Sequence, residues 1–447
     1  MRYIPHTRKD VQGMLQTIGV DDVEDLFDTI PRPLRLDRPL DLPKPLDEFA
    51  LQRLLESMAE RNKGATDPSG MFLGAGAHVH HVPSAVDQLL LRGEFFTAYT
   101  PYQPEVSQGT LQAIFEYQSM MAELLGMDVV NASMYDGASA TAEAMLMALR
   151  IKRKKPRLLV SRAVHPEVRQ VCRTYLSEHD PEPEEIPFGP GGTTDLDALK
   201  LRLDDKTAAV VIQQPNALGC LEPLDEISRL AHDSQALCIV VVMEPVSLGL
   251  LKAPGSLGAD VVTGEGMGLG SGLNFGGPGL GLFGTCKKNV WHMPGRLAGQ
   301  TTDKDGNMGF VLTMSSREQH IRRARATSNI CTNEGLCVLA AAIHLALLGK
   351  EGFVKLSETN AANARQLHAW FTQAGLEPLF HTPFFNEFSI KVKGDLDAKL
   401  RLLADEGILG GLALRRFYPE FDDGLLVYVN EMISEQKAKK LVEVISS

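Results

Sequence analysis

The sequence predicts a large doubly wound α/β domain with a mainly parallel sheet, followed by a small α+β domain. Three observations carry this expectation. From Pro68 onward, short β-rich runs alternate with helix-length periodic segments. The strand runs, such as 208–212 and 237–243, are apolar throughout, as strands covered on both faces are. After Asn333 a long Ala/Leu-rich helix leads into a second, smaller alternation of strands and helices.

Residues 1–65 read as a polar, mostly helical arm. Helical spacing covers 9–19 and 22–29, and the Pro-rich stretch 31–45 is an extended wrapper suited to clasping a neighbouring subunit. The large domain is expected over 66–333. Its strands are 129–130, 157–161, 208–213, 238–243 and 260–263, and its helices are 109–125, 138–150, 166–178, 196–202 and 225–235. Helical crossovers make neighbouring strands parallel, and ligands of such sheets sit at the carboxyl ends of the strands. The small domain, 334–447, opens with a helix over 334–348. Strands 388–392 and 425–429 then alternate with helices 360–374, 396–406 and 434–445.

The bulk numbers narrow the function classes. A chain of 447 residues with 44% hydrophobic and 23% charged side chains is in the soluble globular range. A net charge of −11 leaves no electrostatic footprint for nucleic acid. The basic run from Lys152 to Arg157 suits a solvated helix C-terminus, where cations complement the dipole. The 6 cysteines form no C-x-x-C pair and no secretory signal precedes them, so a reducing cytoplasm is expected and a disulfide framework is not. The apolar runs are strand-length, and no membrane association is expected. His78-Val79-His80-His81 has no nearby Cys, Asp or Glu to complete a ligand pattern, so no metal site is expected.

Four segments carry chemistry-bearing residues. Tyr99-Thr100-Pro101-Tyr102-Gln103-Pro104-Glu105-Val106-Ser107-Gln108-Gly109 packs phenols, amides, a carboxylate and hydroxyls ahead of a helix, a density that suits a site wall, with Ser107 placed to cap the helix. Asn131-Ala132-Ser133-Met134-Tyr135-Asp136-Gly137-Ala138-Ser139-Ala140 runs from a strand end through a small-residue turn into a helix. Ser139 there could hold an anion at the helix N-terminus, Asp136 would repel one, and a simple Asp-Gly cap fits equally. Glu244-Pro245 closes one strand, and the Gly-rich stretch 264–284 follows the next with no lysine between Lys252 and Lys287. The stretch 317–333 begins as a basic helix and ends in hydroxyl and amide side chains, including Thr327, Ser328 and Asn329. No P-loop or nucleophile-elbow motif occurs, and the G-x-G-x-x-G at 279–284 is not set between a strand and a helix.

The plan of a large α/β and a small α+β domain is similar to the aspartate-aminotransferase-like fold (fold type I) of many pyridoxal-phosphate (PLP) enzymes. Members of that fold place an Asp where Glu244 stands and a Schiff-base lysine where this chain has none. The segments 99–109 and 131–143, Phe275-Gly276-Gly277-Pro278 and the stretch 317–333 together resemble the glycine decarboxylase (P-protein) family of the glycine cleavage system, specifically its N-terminal-half subunit, subunit 1.

The resemblance implies a heterotetramer with two copies of each subunit, in which PLP is held by subunit 2. Glycine is then decarboxylated and its aminomethyl group passes to the lipoyl arm of the H protein. It further implies that Tyr99, Tyr102, Gln103, Glu105 and Gln108 line the shared site. Thr327, Ser328 and Asn329 would reach across the interface toward the partner's cofactor. The competing readings are a self-sufficient PLP enzyme using Lys252 or Lys287 and a non-catalytic scaffold of the same fold.

Overall fold

The computed structural model describes residues 5–62 and 67–447. The chain divides into two units, Met1–Arg61 and Asn62–Ser447. The boundary expected between residues 65 and 66 lies outside the described residues.

In the first unit, helix Arg8–Ile18 starts at a capping box in which Thr7 and Asp10 each satisfy the other's backbone N–H. A 3₁₀ turn, Val23–Phe27, follows. Arg35 then donates to the Ile30 and Phe27 carbonyls and pairs with Asp28, which holds the start of the Pro-rich stretch. Helix Glu48–Ala59, capped by Asp47, closes the unit and is an element that the spacing did not resolve. Leu34, Leu42 and Phe49 are 70% exposed or more in this unit, so its apolar side chains are not spent on an internal core.

The second unit is built on a 7-stranded sheet of β1 (Val129–Val130), β2 (Arg157–Ser161), β3 (Glu184–Ile186), β4 (Thr207–Gln213), β5 (Leu237–Val242), β6 (Val261–Glu265) and β7 (Gly281–Thr285), in the order β1-β7-β6-β5-β4-β2-β3. Strands β2 to β6 are mutually parallel, and β7 runs antiparallel to both β6 and β1.

Successive side chains point to opposite faces, and both faces are buried. Val211, Ile239 and Val241 pack with Ala140, Ala144 and Ala148 of helix Gly137–Ile151. Val210, Ile212, Val240 and Val242 pack with Leu111, Ile114 and Met121 of helix Gln108–Leu125. This two-sided burial is why β4 and β5 read as unbroken apolar runs.

Three features depart from the sequence expectation. A hairpin, β8 (Leu297–Thr302) with β9 (Met308–Thr313), and the short strand β3 were not expected; their side chains are too mixed to show a strand pattern. The stretch expected to begin as a basic helix is instead two 3₁₀ turns around a single helical turn, Gln319–Arg322.

Helix Gly335–Gln373 is apolar and long enough to cross a membrane by composition alone. It breaks at Gly349, where φ is 59°, and Val338 and Ala341 are fully buried in the core, so it serves as a core helix. Beyond it lies a 3-stranded antiparallel sheet of β10 (Glu387–Lys391), β11 (Leu412–Ala413) and β12 (Gly424–Tyr428), backed by helices Leu396–Asp405 and Glu435–Ser446.

Candidate functional site

The carboxyl ends of β5 and β6 and the start of helix Gly137–Ile151 surround a chamber of about 810 Å³, where a parallel sheet is expected to bind its ligand. Its lining includes Asp136, Glu167, Glu265, Glu334 and His165, and no lysine or arginine. Two of these carboxylates already occupy the helix start. Asp136 caps the helix by accepting the Ser139 N–H at 2.8 Å. Glu265 reaches over from β6 and accepts the N–H groups of Gly137 at 3.0 Å, Met267 at 3.0 Å and Leu280 at 2.8 Å.

Gly137 allows this approach, because a Cβ there would lie 2.8 Å from the Gly264 carbonyl carbon. Burial pushes the Glu265 carboxyl above its ordinary range, with the three N–H groups opposing the shift. The Asp-Gly capping reading of this turn therefore holds, and Ser139 uses its hydroxyl on the Asp136 carbonyl.

The acid closing β5 is committed as well. Glu244 Oε2 receives His80 Nε2 at 3.0 Å and the Asn386 amide at 3.1 Å, while Glu244 Oε1 accepts the Val246 N–H. His80 Nδ1 faces Glu431 at 3.0 Å, so both ring nitrogens meet carboxylates and the ring is an imidazolium. His78 lies 3.2 Å from Glu387 and donates toward the Met243 carbonyl.

Burial pulls both histidine pKa values down, but the facing carboxylates more than reverse it, raising His78 to about 9 and His80 to about 10. Burial raises Glu244 and Glu431, and the histidines overcome this to hold each at about 2. The strand-like alternation of His78 and His80 was visible in sequence. Their partners, from 164 to 351 residues away, were not.

PLP does not fit this chamber. Its phosphate would meet Glu265 and Asp136 on the N–H groups that would cradle it, and both Glu244 oxygens are already engaged where a pyridinium would need one. Lys252 and Lys287 are exposed and outside the lining, which removes the self-sufficient reading from this pocket.

A second locus has the opposite character. Tyr99, Thr100 and Pro101 share a cavity of about 220 Å³ with Thr332 and Asn333, so the two longest motifs converge in space. The Tyr102 hydroxyl accepts from Arg296 Nη2 at 2.7 Å; its ring lies under that guanidinium at 4.9 Å from the ring centre and packs edge-on against His320.

Tyr99 is 82% exposed, and Gln103 and Glu105 are exposed beside it. Gln108 does not face the others. Its amide bridges the Pro104 carbonyl and both backbone groups of Phe310, tying the helix start to β9. Ser107 occupies the N-cap position but makes no side-chain cap bond. Thr327 and Ser328 line a small crevice with Arg317 and Glu318, and Asn329 is exposed. Arg296 had no signal in sequence; only the fold brings it to Tyr102.

A mainly parallel sheet with a chamber at its strand ends, followed by a small α+β unit, defines a chain of the PLP-dependent type I fold. Solved structures at low identity share that architecture, among them a Burkholderia pseudomallei sphingosine-1-phosphate lyase (TM-score 0.64, 16% identity, covering 93% of this chain and 94% of that one). The chain belongs to the glycine cleavage system P-protein family, whose model matches residues 1–445.

It is 54% identical over 420 residues to the probable glycine dehydrogenase (decarboxylating) subunit 1 of Anaeromyxobacter dehalogenans, covering 94% of this chain and 93% of the relative. The corresponding protein of Carboxydothermus hydrogenoformans is 48% identical over 445 residues, covering 100% and 99%. A crystal structure of glycine decarboxylase (P-protein) in inhibitor-bound form superposes with a TM-score of 0.90 at 43% identity, covering 100% of this chain and 99% of that one.

Proposed function

We propose that this chain is the subunit of a two-subunit glycine decarboxylase that does not hold the cofactor, and that it supplies one wall of an active site centred in subunit 2. The observation that carries this reading is the pairing of a full-length match to subunit 1 relatives with a chamber whose anion cradle is filled by Glu265 and Asp136.

On this reading PLP sits in subunit 2, in an assembly of two copies of each subunit. Glycine is the substrate and the lipoyl arm of the H protein receives the aminomethyl group. The compartment is the cytoplasm. This chain's contribution is to bind, orient and exclude water. Tyr102, held by Arg296, presents a fixed phenol beside the exposed Tyr99, Gln103 and Glu105. Fixed dipoles of this kind stabilise developing charge without reorganising during the reaction.

Thr327 and Ser328, at a crevice, and the exposed Asn329 supply polar contacts for the partner. The exposed leucines and Phe49 of residues 5–61 supply apolar surface for the clasp on subunit 2.

The test is glycine–bicarbonate exchange with the chain alone, subunit 2 alone and the mixture, each supplied with PLP and lipoylated H protein. Exchange that requires both subunits is expected. Full exchange by subunit 2 alone would reduce this chain to a scaffold.

A further inference from the structure

Arg296 is 4% exposed and makes no ion pair among the described residues. Its two terminal nitrogens meet neutral groups, the Tyr102 hydroxyl at 2.7 Å and Asn333 Oδ1 at 3.3 Å. Its Nε has no hydrogen-bond partner, and neither does Asn333 Nδ2, on a side chain 8% exposed.

The carboxylate that feels this guanidinium is Glu318, which burial pushes above its ordinary range and which Arg317, Arg296 and His320 hold back. Glu318 is already 3.7 Å from Arg317, another buried guanidinium, so two buried cations share one carboxylate. Arg317 has further partners in the carbonyls of Met293, Gly295 and Met314. Arg296 has none of that kind. A buried cation in this state is costly unless a counter-ion arrives, and a guanidinium with a buried, unpartnered N–H is suited to an oxyanion.

We infer that Arg296 and Asn333 form a receptor for a small oxyanion that reaches this chain from the shared active site, with Tyr102 orienting the guanidinium. The inference rests on the two-subunit reading above. Two sources have this chemistry, the carboxylate of the substrate glycine and the phosphate of the cofactor held by the partner. Either would place its oxygens on the free Arg296 Nε–H and Asn333 Nδ2–H, closing the charge imbalance.

The experiment uses the assembled enzyme with wild-type subunit 2, comparing Arg296→Gln and Arg296→Lys with the wild-type chain. Glycine KM and kcat are measured at saturating cofactor, and cofactor retention is followed by visible absorbance during dialysis. If the substrate carboxylate is the ligand, Arg296→Gln raises KM by about tenfold or more, the loss of one charge-assisted hydrogen bond, with retention unchanged. If the cofactor phosphate is the ligand, retention weakens by a similar factor and KM at saturation stays put. In either case Arg296→Lys is milder than Arg296→Gln.

An assembled Arg296→Gln enzyme with both quantities within about twofold of wild type overturns the inference. If Arg296→Gln does not assemble, the structure of the wild-type complex with glycine decides. An oxyanion on Arg296 Nε supports the receptor, and a water or a carbonyl there overturns it. Absence of exchange in the wild-type mixture counts against the two-subunit reading instead, and that measurement involves no Arg296 variant.

Discussion

Two regions of this chain handle charge in opposite ways. In the chamber at the strand ends, the N–H groups at the helix start and the acid closing β5 are met from within. Glu265 and Asp136 sit on the helix N–H groups, and His80 and Asn386 hold Glu244. At the Tyr102 locus, Arg296 Nε and Asn333 Nδ2 are buried without a hydrogen-bond partner among the described residues. Isolated buried charges and donors are costly. A pocket whose backbone donors are met by its own carboxylates is complete as it stands, whereas buried donors without partners call for a group from outside the chain.

The most severe way to break this contrast is to take a member from the buried ion cluster. Glu244→Ala leaves His80 and His78 short of a facing carboxylate and should cost about 3–5 kcal/mol of stability, read by denaturant unfolding. An unfolding midpoint equal to wild type would show that the cluster is not structural.

The same cluster fixes a pH profile. The histidines are raised to about 9 and 10 from 6.5, so their contribution is fully present below pH 6.5 and is lost as pH climbs through 9 to 10. Glu244 and Glu431 are depressed to about 2 from 4.5, so theirs is fully present above 4.5 and is lost as pH falls toward 2. Stability should therefore be flat between about pH 4.5 and 6.5 and fall from there through neutrality toward pH 9 to 10. His80→Gln should flatten that fall in a pH series of unfolding curves.

A smaller change reopens the filled cradle. Glu265→Ser removes the carboxylate from the Gly137, Met267 and Leu280 N–H groups and should cost about 1–2 kcal/mol. Inorganic phosphate should then raise the melting temperature of the variant and not of the wild type. Equal shifts in both would mean that Glu265 does not stand in for an anion.

At the open locus, Tyr102→Phe deletes the hydroxyl that meets Arg296. Turnover of the assembled enzyme should fall by about tenfold with assembly intact. Glu105→Gln, on an exposed side chain, should give the smallest effect, a drop of about a few fold. Wild-type kinetics in both would remove this segment from the site.

The contrast also explains what sequence could and could not disclose. Strands β4 to β6 and the helices between them were legible because two-sided burial writes itself as short apolar runs. The hairpin of β8 and β9 was not, since Leu297–Thr302 carries mostly small and polar residues with half of its length exposed. The missing lysine was legible as an absence, but its replacement was not. Glu265 meets Gly137 across 128 positions, and Arg296 meets Tyr102 across 194. Spacing rules describe neighbours along a helix or strand, and both of these meetings are made by the tertiary fold. Gln108 shows the converse error: a polar residue in a chemistry-rich loop whose amide is spent on holding Phe310.

Borohydride reduction of the assembled enzyme with PLP, followed by peptide mass mapping, tests the division between the two regions most directly. The phosphopyridoxyl label is predicted on a lysine of subunit 2 and on none in this chain, neither Lys252 nor Lys287. Stoichiometric label on a lysine of this chain would contradict the account.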